Sequence, residues 1–268
     1  MSNKSQGKIL KWPEPPPAAL GLHAVKSTYT VREISQLFGL SEHWIRRWTR
    51  EGVIEPLQSD EQNKLLFEFR ALTKFRRVRE MKAAGKTLSQ IDAELRGQMN
   101  LFQPGEGRVL DFTPNLSPFE EALRSHEQGG KEAARLYQRA IEENDFAADA
   151  YCNLGILEFE SGQTGKALDC FTLSLKHDPR HFESHFNLAS LYFDAGDLPL
   201  ARLHYEFAGG IEPGFAQVHF HLGLVHALQG DFGASRAELI KCKELSLEDE
   251  GRAVDDLLRK LERAIIHR

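Results

Sequence analysis

The second half of the chain repeats one pattern of residue types every 34 positions, and this period constrains the fold more than any other feature. Leu154-Gly155, Leu188-Ala189 and Leu222-Gly223 follow one another at that interval. Glycines, prolines, large apolar residues and small residues recur with the same phase. The further columns are Gly162, Gly196 and Gly230; Pro179 and Pro213; Tyr137, Phe171, Tyr205 and Leu239; Ala133, Ala167, Ala201 and Ser235; and Ala140, Ser174, Ala208 and Cys242. One structural unit is therefore used several times.

Each unit has the pattern of two amphipathic helices. Glycine falls where the first helix turns into the second, small residues fall where the two helices touch, and proline follows the second helix. One such hairpin cannot bury its apolar face alone, so neighbouring units must stack. The pattern resembles the tetratricopeptide repeat over 148–181, 182–215 and 216–249, with a divergent first unit at 114–147. This resemblance implies an α-solenoid.

A final helix is expected to cap the repeats. Its apolar stripe consists of Val254, Leu257, Leu258, Leu261 and Ile265. Their spacing places them on one helical face, which suits the cap that a solenoid needs at its open end.

The composition favours a globular protein in the cytoplasm. Apolar residues make up 41% of the 268 positions, but no run of eighteen apolar residues occurs and the Pro-rich start is unlike a secretory signal. Cys152, Cys170 and Cys242 lack CxxC spacing and are expected to be reduced and structural. Residues 1–97 carry 17 Lys+Arg against 11 Asp+Glu, whereas 98–268 carry 17 against 28. The first part is therefore the one suited to a polyanion.

Four domains or segments are predicted along the chain. They are a flexible arm at 1–27, a winged-helix domain at 28–97, a linker at 98–116, and a repeat domain with its capping helix at 117–268. Thr30 and Glu33 form a capping box that opens the first helix of the second domain. Gly39 ends that helix, and Ser41 can cap the next. Two short strands, at 53–56 and 65–67 around a polar loop, are expected to form the wing.

The second helix of this domain carries the basic residues expected to contact DNA. Ile45 and Trp48 face inward in this interpretation, and a helix behind a three-residue turn and before a wing is typical of major-groove readers. A charged solvent face on a helical bundle is the alternative. The candidate DNA-binding residues are His43, Arg46, Arg47, Arg50, Lys64, Lys74, Arg76 and Arg77.

The stretch of about 29–96 resembles the DNA-binding domain of MerR-type bacterial transcription regulators. The matching residues are Tyr29-Thr30-Val31, Glu33-Ile34, Gly39-Leu40-Ser41, Ile45-Arg46, Trp48, Arg50, Gly52-Val53-Ile54, Pro56, Phe67, Phe69, Leu72, Gly85 and Leu88 through Ile91. The resemblance implies that Arg46 contacts the DNA backbone or a base edge, and that Trp48 takes a packing and backbone-facing position. It also implies promoter DNA as the target and allows RNA polymerase as a further partner.

Three departures from the family bear on function. The wing has Asn63-Lys64-Leu65 with Asp60 and Glu61 nearby, so Lys64 is its one candidate for a DNA contact. Trp44 replaces the small hydroxyl residue that the family commonly has there. Gly97, Pro104 and Pro114 prevent the family's long dimerising helix. A homodimer would therefore have to form without a long coiled coil.

The resemblance to tetratricopeptide repeats implies that the first helix of each unit lines a groove for a protein or peptide ligand. Asn153 and Asn187 occupy equivalent positions, and an amide side chain can both donate to and accept from a ligand main chain. Capping or solvation of the groove is the alternative role. The candidate peptide-binding residues are Asn153, Ile156, Phe159, Phe186, Asn187, Phe193, Phe220 and His221.

The sequence therefore predicts an all-α protein with a small β wing, in which a winged helix-turn-helix domain precedes a tetratricopeptide α-solenoid. The predicted function is transcriptional regulation through promoter DNA, with the repeats receiving a protein or peptide signal. The alternative is a scaffold or adaptor whose degenerate winged helix binds protein. No catalytic, metal or cofactor site is expected, since His181 and His185 lack a third ligand and no nucleophile elbow or phosphate loop is present.

Overall fold

A computed structural model describes residues 21–57, 65–100, 116–246 and 251–266. The strands are β1 (Thr28–Thr30) and β2 (Leu66–Glu68). The helices are α1 (Val31–Phe38), α2 (Glu42–Arg50), α3 (Phe69–Ala83), α4 (Leu88–Asn100), α5 (Pro118–Glu127), α6 (Ala133–Glu142), α7 (Ala147–Glu160), α8 (Thr164–His177), α9 (Phe182–Asp194), α10 (Leu198–Ile211), α11 (Ala216–Leu228), α12 (Phe232–Leu245) and α13 (Gly251–Ile266). The described fold is all-α apart from one two-stranded sheet, as predicted.

Internal contacts divide the described chain into two compact units. One, here called the N-terminal unit, contains 24–184 and 211–214; the other, the C-terminal unit, contains 21–23, 185–210 and the described residues from 215 onward. The N-terminal unit thus holds β1 to α4 together with α5 to α8. The predicted domain limits of 28–97, 98–116 and 117–268 do not coincide with this division and stay predictions.

Helix α1 begins and ends as its sequence predicts. Thr30 accepts the backbone N–H of Glu33, while the Glu33 carboxylate accepts the backbone N–H of Thr30, which completes the capping box. Gly39 ends the helix in the left-handed region at φ 55°. Ser41 does precede α2, but its side chain makes no capping hydrogen bond, so that part of the prediction was wrong.

The predicted wing is not formed by two strands at 53–56 and 65–67. β2 instead pairs antiparallel with β1, with Tyr29 opposite Phe67, and Leu57 makes a single bridge to Leu66. Val53 and Ile54 are buried, and their N–H groups donate to the carbonyl of Trp48 at the end of α2. Because these N–H groups cap α2, they do not form the hydrogen bonds of a strand. Residues 58–64, including Lys64, lie outside the described residues.

The repeat columns form the helix contacts that the 34-residue period predicts. All four large residues of one column are fully buried: Tyr137, Phe171, Tyr205 and Leu239. The turn glycines of three units adopt φ near 80°: Gly162, Gly196 and Gly230. Within the N-terminal unit α5 packs on α6 and α7 on α8, and within the C-terminal unit α11 packs on α12. These are the predicted helical hairpins.

Helix α13 covers the end of α11 and α12. Val254, Leu257 and Leu261 are buried against Leu224 and Leu239, as expected for a capping helix. Cys152, Cys170 and Cys242 remain thiols. None of the helices in the described ranges combines the length and hydropathy that a bilayer crossing requires.

The arm predicted at 1–27 lies outside the described residues up to position 20. From His23 onward the backbone is held by side chains, and Val25 is buried. The end of the predicted arm is thus part of the folded protein, because its main chain finds hydrogen-bond partners far along the sequence. The predicted linker lies outside the described residues at 101–115.

Candidate functional site

Helix α2 presents basic residues on the side opposite its buried face. Ile45 and Trp48 are fully buried, as predicted, while His43, Arg46 and Arg50 are exposed. The Arg46 guanidinium lies 3.0 Å from the Glu42 carboxylate, one turn earlier, and both side chains are about half exposed. An exposed pair of this kind contributes little to stability, so Arg46 can exchange Glu42 for a phosphate at small cost.

Aromatic rings and carboxylates hold the side chains of Trp48 and Arg47 on α2. Trp48 is wholly internal and its indole N–H donates to Asp92 at 2.9 Å, so it serves packing. Arg47 stacks over the Trp44 ring at 4.9 Å and pairs with Glu51 at 3.1 Å. Arg47 is thus more firmly held than Arg46, and Trp44 supports it.

The basic residues of α3 divide between two faces of the helix. Lys74 and Arg77 are exposed; Lys74 donates to the Val53 carbonyl at 3.2 Å and Arg77 lies 3.3 Å from Glu80. Arg76 and Arg79, on the other face, pair with Asp149 and Glu212. Arg76 is therefore engaged within the protein and is removed from the candidate DNA-binding residues.

Arg76 belongs to a buried charge cluster that joins α3 to the repeats within the N-terminal unit. Its guanidinium lies 2.7 Å from Asp149 on α7, and His181 Nε2 lies 3.3 Å from the same carboxylate. Burial opposes the ionised form of Asp149, but Arg76 and His181 outweigh it and hold its pKa below the usual value. Burial also opposes the charged form of His181, yet Glu183 and Asp149 raise its pKa. His181 is therefore a member of this charge cluster and pairs with its carboxylates.

Two further contacts tie α3 to the repeats. Arg70 lies 2.5 Å from Glu120 on α5, and the Phe69 ring packs 4.9 Å from Phe119 and 4.8 Å from Phe146. Aromatic pairs at such distances add to the free energy of ordinary burial. The helix-turn-helix part and the first repeats thus share one core in the N-terminal unit.

Asn153 contacts a peptide main chain, and that main chain is the protein's own. Its Oδ1 accepts the Val25 N–H at 2.9 Å, and its Nδ2 donates to the Val25 carbonyl at 2.8 Å. Nδ2 also donates to the Tyr137 hydroxyl at 3.1 Å. Asn153 has no exposed surface. Asn153 therefore holds a main chain of the protein itself, and its predicted contact with a partner peptide stays a prediction.

Asn187, in the C-terminal unit, makes the equivalent pair of bonds. Its Oδ1 accepts the His23 N–H at 2.7 Å and its Nδ2 donates to the His23 carbonyl at 3.2 Å. The His23 ring meets Phe186 edge-on at 6.0 Å and Phe215 at 5.0 Å. Phe186 is buried between this segment and the rings of Tyr205, Phe215 and His221.

The remaining predicted groove residues have mixed surroundings. Ile156 is buried, and Phe159 is half-buried. Phe193 and Phe220 pack against the core beneath α13. His221 stacks on Tyr205 at 5.1 Å and lies 2.8 Å from the Gln217 carbonyl. Phe193, Phe220 and His221 thus contribute to the core of the C-terminal unit.

Sequence reasoning missed Asp149, Val25 and His23. The sequence signal for Asp149 is that it is the one acidic residue in the otherwise apolar stretch 146–152. The structure shows that it is buried beside Arg76. Val25 and His23 carry no pattern that distinguishes them from a solvated tail. Across the described residues, no three His, Cys, Asp or Glu side chains gather as a metal ion would require.

Comparison with known families identifies the two parts of the chain. Residues 29–98 match the MerR HTH family regulatory protein model, which covers β1 to α4. Residues 122–172 and 152–214 match the tetratricopeptide repeat model. The chain therefore joins a MerR-type helix-turn-helix domain to tetratricopeptide repeats.

Individual curated relatives are similar over part of the chain. Tetratricopeptide repeat protein 8 of Mus musculus is 34% identical over 94 residues, which are 35% of this chain and 18% of the mouse protein. The Homo sapiens protein of the same name is 32% identical over 94 residues, 35% of this chain and 17% of the human protein. The chain thus spans less than a fifth of the length of these curated relatives.

Solved structures with repeat folds are also similar. MamA has a TM-score of 0.43 at 16% identity, covering 55% of this chain and 97% of its own. A thermophilic TPR protein of Thermus thermophilus has a TM-score of 0.41 at 24% identity, covering 55% and 81%. The type III secretion translocator chaperone SycD of Yersinia enterocolitica has 0.41 at 15%, covering 47% and 86%.

Proposed function

We propose that this protein regulates transcription in the bacterial cytoplasm by binding promoter DNA through α2, and that its repeats receive a protein or peptide partner. It acts by binding and not by catalysis. The observation that carries the proposal is the exposed basic face of α2, where His43, Arg46 and Arg50 lie opposite the buried Ile45 and Trp48. A helix so anchored can enter a major groove while its arginines contact phosphates or guanine.

The proposed DNA surface is smaller than the sequence alone suggests. It comprises α2 together with Lys74 and Arg77 on the exposed face of α3. Arg76 and Arg79 pair with carboxylates inside the N-terminal unit and are not counted in it. Because each phosphate contact releases counterions, the affinity for duplex DNA is expected to fall steeply with salt.

A titration of the full chain with duplex DNA at two salt concentrations tests this proposal. The Arg46→Ala, Arg47→Ala double variant is expected to lose about 1–3 kcal/mol of binding free energy for each contact removed. The matched control is Arg135→Ala with Arg139→Ala, which removes the same charge from exposed positions on α6. Equal affinity of the first variant and the control would contradict the DNA proposal.

The second candidate function is a scaffold that binds protein through both parts. The observation that favours it is that several arginines form ion pairs within the protein. Arg76 and Arg79 pair with Asp149 and Glu212, and Arg96 pairs with Glu51. These contacts reduce the positive charge available to a polyanion. Selection from a pool of random duplexes distinguishes the two functions, since a scaffold enriches no sequence.

The partner proposal is supported by the chemistry of Asn153 and Asn187. Each side chain offers one donor and one acceptor to a main chain, which gives affinity without demanding a particular side-chain sequence. Capture of partners from a lysate by the parent and by the Asn153→Ala, Asn187→Ala variant tests it, with circular dichroism as the folding control. Identical captured proteins in equal amounts would exclude the two asparagines from partner binding.

A further inference from the structure

The segment Gly21 to Ser27, here called the internal strand, makes the contacts expected of a peptide ligand. It has no helix or sheet hydrogen bonds of its own and continues directly into β1. At Val25, both main-chain polar groups bond to Asn153, and the residue is 2% exposed. A tail of low apolar content loses conformational entropy on such ordering, so these contacts must offset that cost.

Asn153 is held by a second partner besides Val25. Tyr137 is fully buried, and its hydroxyl accepts a hydrogen bond from Asn153 Nδ2. His126 Nδ1 lies 3.0 Å from the same hydroxyl. The amide therefore has its Oδ1 directed at an N–H and its Nδ2 at a carbonyl, which is the arrangement an extended main chain requires.

A carboxylate holds the end of the internal strand. Ser27 N–H donates to Glu127 Oε1 at 2.8 Å, and the Ser27 hydroxyl donates to Oε2 at 2.6 Å. The Ser27 carbonyl accepts the N–H of Phe69, the first residue of α3. Ser27 thus links α5 of the repeats to the helix-turn-helix domain, all within the N-terminal unit.

We infer that the internal strand is a built-in competitor for the partner of the repeats, and that a partner binds by displacing it. This inference rests on the proposed peptide-binding function of the repeats. The partner that fits is an extended peptide with a small β-branched apolar residue in the place of Val25. A hydroxyl residue two positions later would face Glu127 as Ser27 does. An acidic residue at that place would be repelled by Glu127.

Competition by a tethered segment sets the affinity of an outside peptide. A segment of the same chain binds without loss of a second molecule's translational freedom and acts at a high effective concentration, so a free peptide of the same sequence binds the parent weakly. Displacement also removes the bonds of Ser27 to Glu127 and of its carbonyl to Phe69. Because the strand continues into β1 and α1, partner binding releases one attachment of the DNA-binding domain to the repeats.

Amide hydrogen exchange on the full chain tests the occupied state directly. The Val25 and Ser27 amides are expected to exchange at least about tenfold more slowly than in an unstructured peptide of residues 21–28. Asn153→Ala is expected to remove the protection at Val25. Exchange of both amides at the unstructured rate in the parent would overturn the inference, whether or not DNA is bound.

A labelled peptide with the sequence of residues 21–28 tests the competition. Val25→Asp places a charge at a buried position and should expel the strand, so this variant is expected to bind the peptide at least about tenfold more tightly than the parent. Gly21→Asp is the matched control, since it adds the same charge at an exposed position with open space around it. Adding Asn153→Ala to Val25→Asp is expected to abolish the gain.

Equal peptide affinity in the parent and in a folded Val25→Asp variant would overturn the inference, as would absence of binding in both. If Val25→Asp fails to fold, Ser27→Asp replaces it in the peptide assay, because Glu127 would repel the added carboxylate. Neither experiment involves DNA or a cellular partner. A failure of the DNA titration or of partner capture therefore contradicts the proposed function and leaves the exchange and competition results to be judged separately.

Discussion

The guanidinium of Arg76 lies 2.7 Å from the carboxylate of Asp149, across 73 residues of sequence. Arg76 belongs to the basic helix of the MerR-type domain, and Asp149 belongs to the first helix of a tetratricopeptide unit. Asp149 is 5% exposed, so neither solvent nor an outside ligand can readily replace its partner. Through this contact, Arg76 of the helix-turn-helix domain binds a repeat helix.

Removal of the Asp149 charge is expected to destabilise the protein strongly. Asp149→Asn leaves Arg76 without its counter-charge in a largely buried site, at a cost of about 3–5 kcal/mol in the free energy of unfolding. Arg76→Met should cost less when Asn already occupies position 149 than when Asp does, with a coupling of about 0.5–3 kcal/mol. Urea unfolding of the parent, both single variants and the double variant measures this. Additive losses would show that the two side chains do not interact.

The contribution of the cluster to stability is expected to decrease as pH rises above 6.5. The pKa of His181 is raised in the folded protein, so its contribution is complete below the unfolded value of 6.5 and is lost as pH increases through the folded value. The groups around it are Asp149, Glu183 and Arg76. His181→Gln should flatten the dependence of the unfolding free energy on pH in this range. An unchanged slope in the variant would assign the pH dependence to other groups.

In acid, the same cluster is expected to lose stability as pH falls. The pKa of Asp149 is lowered on folding, so its contribution is complete above the unfolded value of 3.8 and is lost as pH falls through the folded value. Asp149→Asn should therefore lose less stability than the parent when the solution is acidified below this value. Thermal unfolding of both proteins over an acid series measures the difference, and parallel curves would be inconsistent with the cluster.

Close contact between paired helices is expected to make Gly223 intolerant of a side chain. An added Cβ would lie 2.7 Å from Leu239 Cγ, so Gly223→Ala should lower the free energy of unfolding by about 1–3 kcal/mol. Gly165→Ala is the control, because it has open space and should stabilise α8 by up to about 1 kcal/mol. Chemical denaturation compares the two. Similar effects of both substitutions would mean that α11 and α12 are less closely packed than the structure describes.

Limited proteolysis is expected to cut first between residues 97 and 117, where prolines and glycines interrupt the apolar pattern. The two fragments should nevertheless remain together at low ionic strength, because Arg70, Arg76 and Arg79 pair with carboxylates beyond the cut. Size-exclusion chromatography of the nicked protein measures this. First cleavage within 150–245 would contradict the predicted linker, and immediate separation of the fragments would contradict the shared core.

Local patterns in the sequence were sufficient to predict the helices, the repeat units and the capping helix. The 34-residue period predicted Ser235 as a contact between helices and Gly230 as a turn, since both requirements arise within one hairpin. The Thr30 and Glu33 capping box was equally predictable, because its two residues are three positions apart. Periodicity reports which face of a helix is buried, and here it did so correctly for Ile45 and Trp48.

Contacts between distant residues were decided only by the tertiary structure. The sequence marks Asn153 as a main-chain clamp, but its occupant, Val25, lies 128 positions away and has no distinguishing pattern. In the sequence Arg76 resembles a DNA-binding residue, and only the fold places it beside Asp149. The pairing of β2 with β1, and the capping of α2 by the N–H groups of Val53 and Ile54, are likewise visible only in the tertiary structure. Hydrogen bonds and ion pairs depend on distance and direction in space, and residues far apart in the chain acquire both only when the whole protein folds.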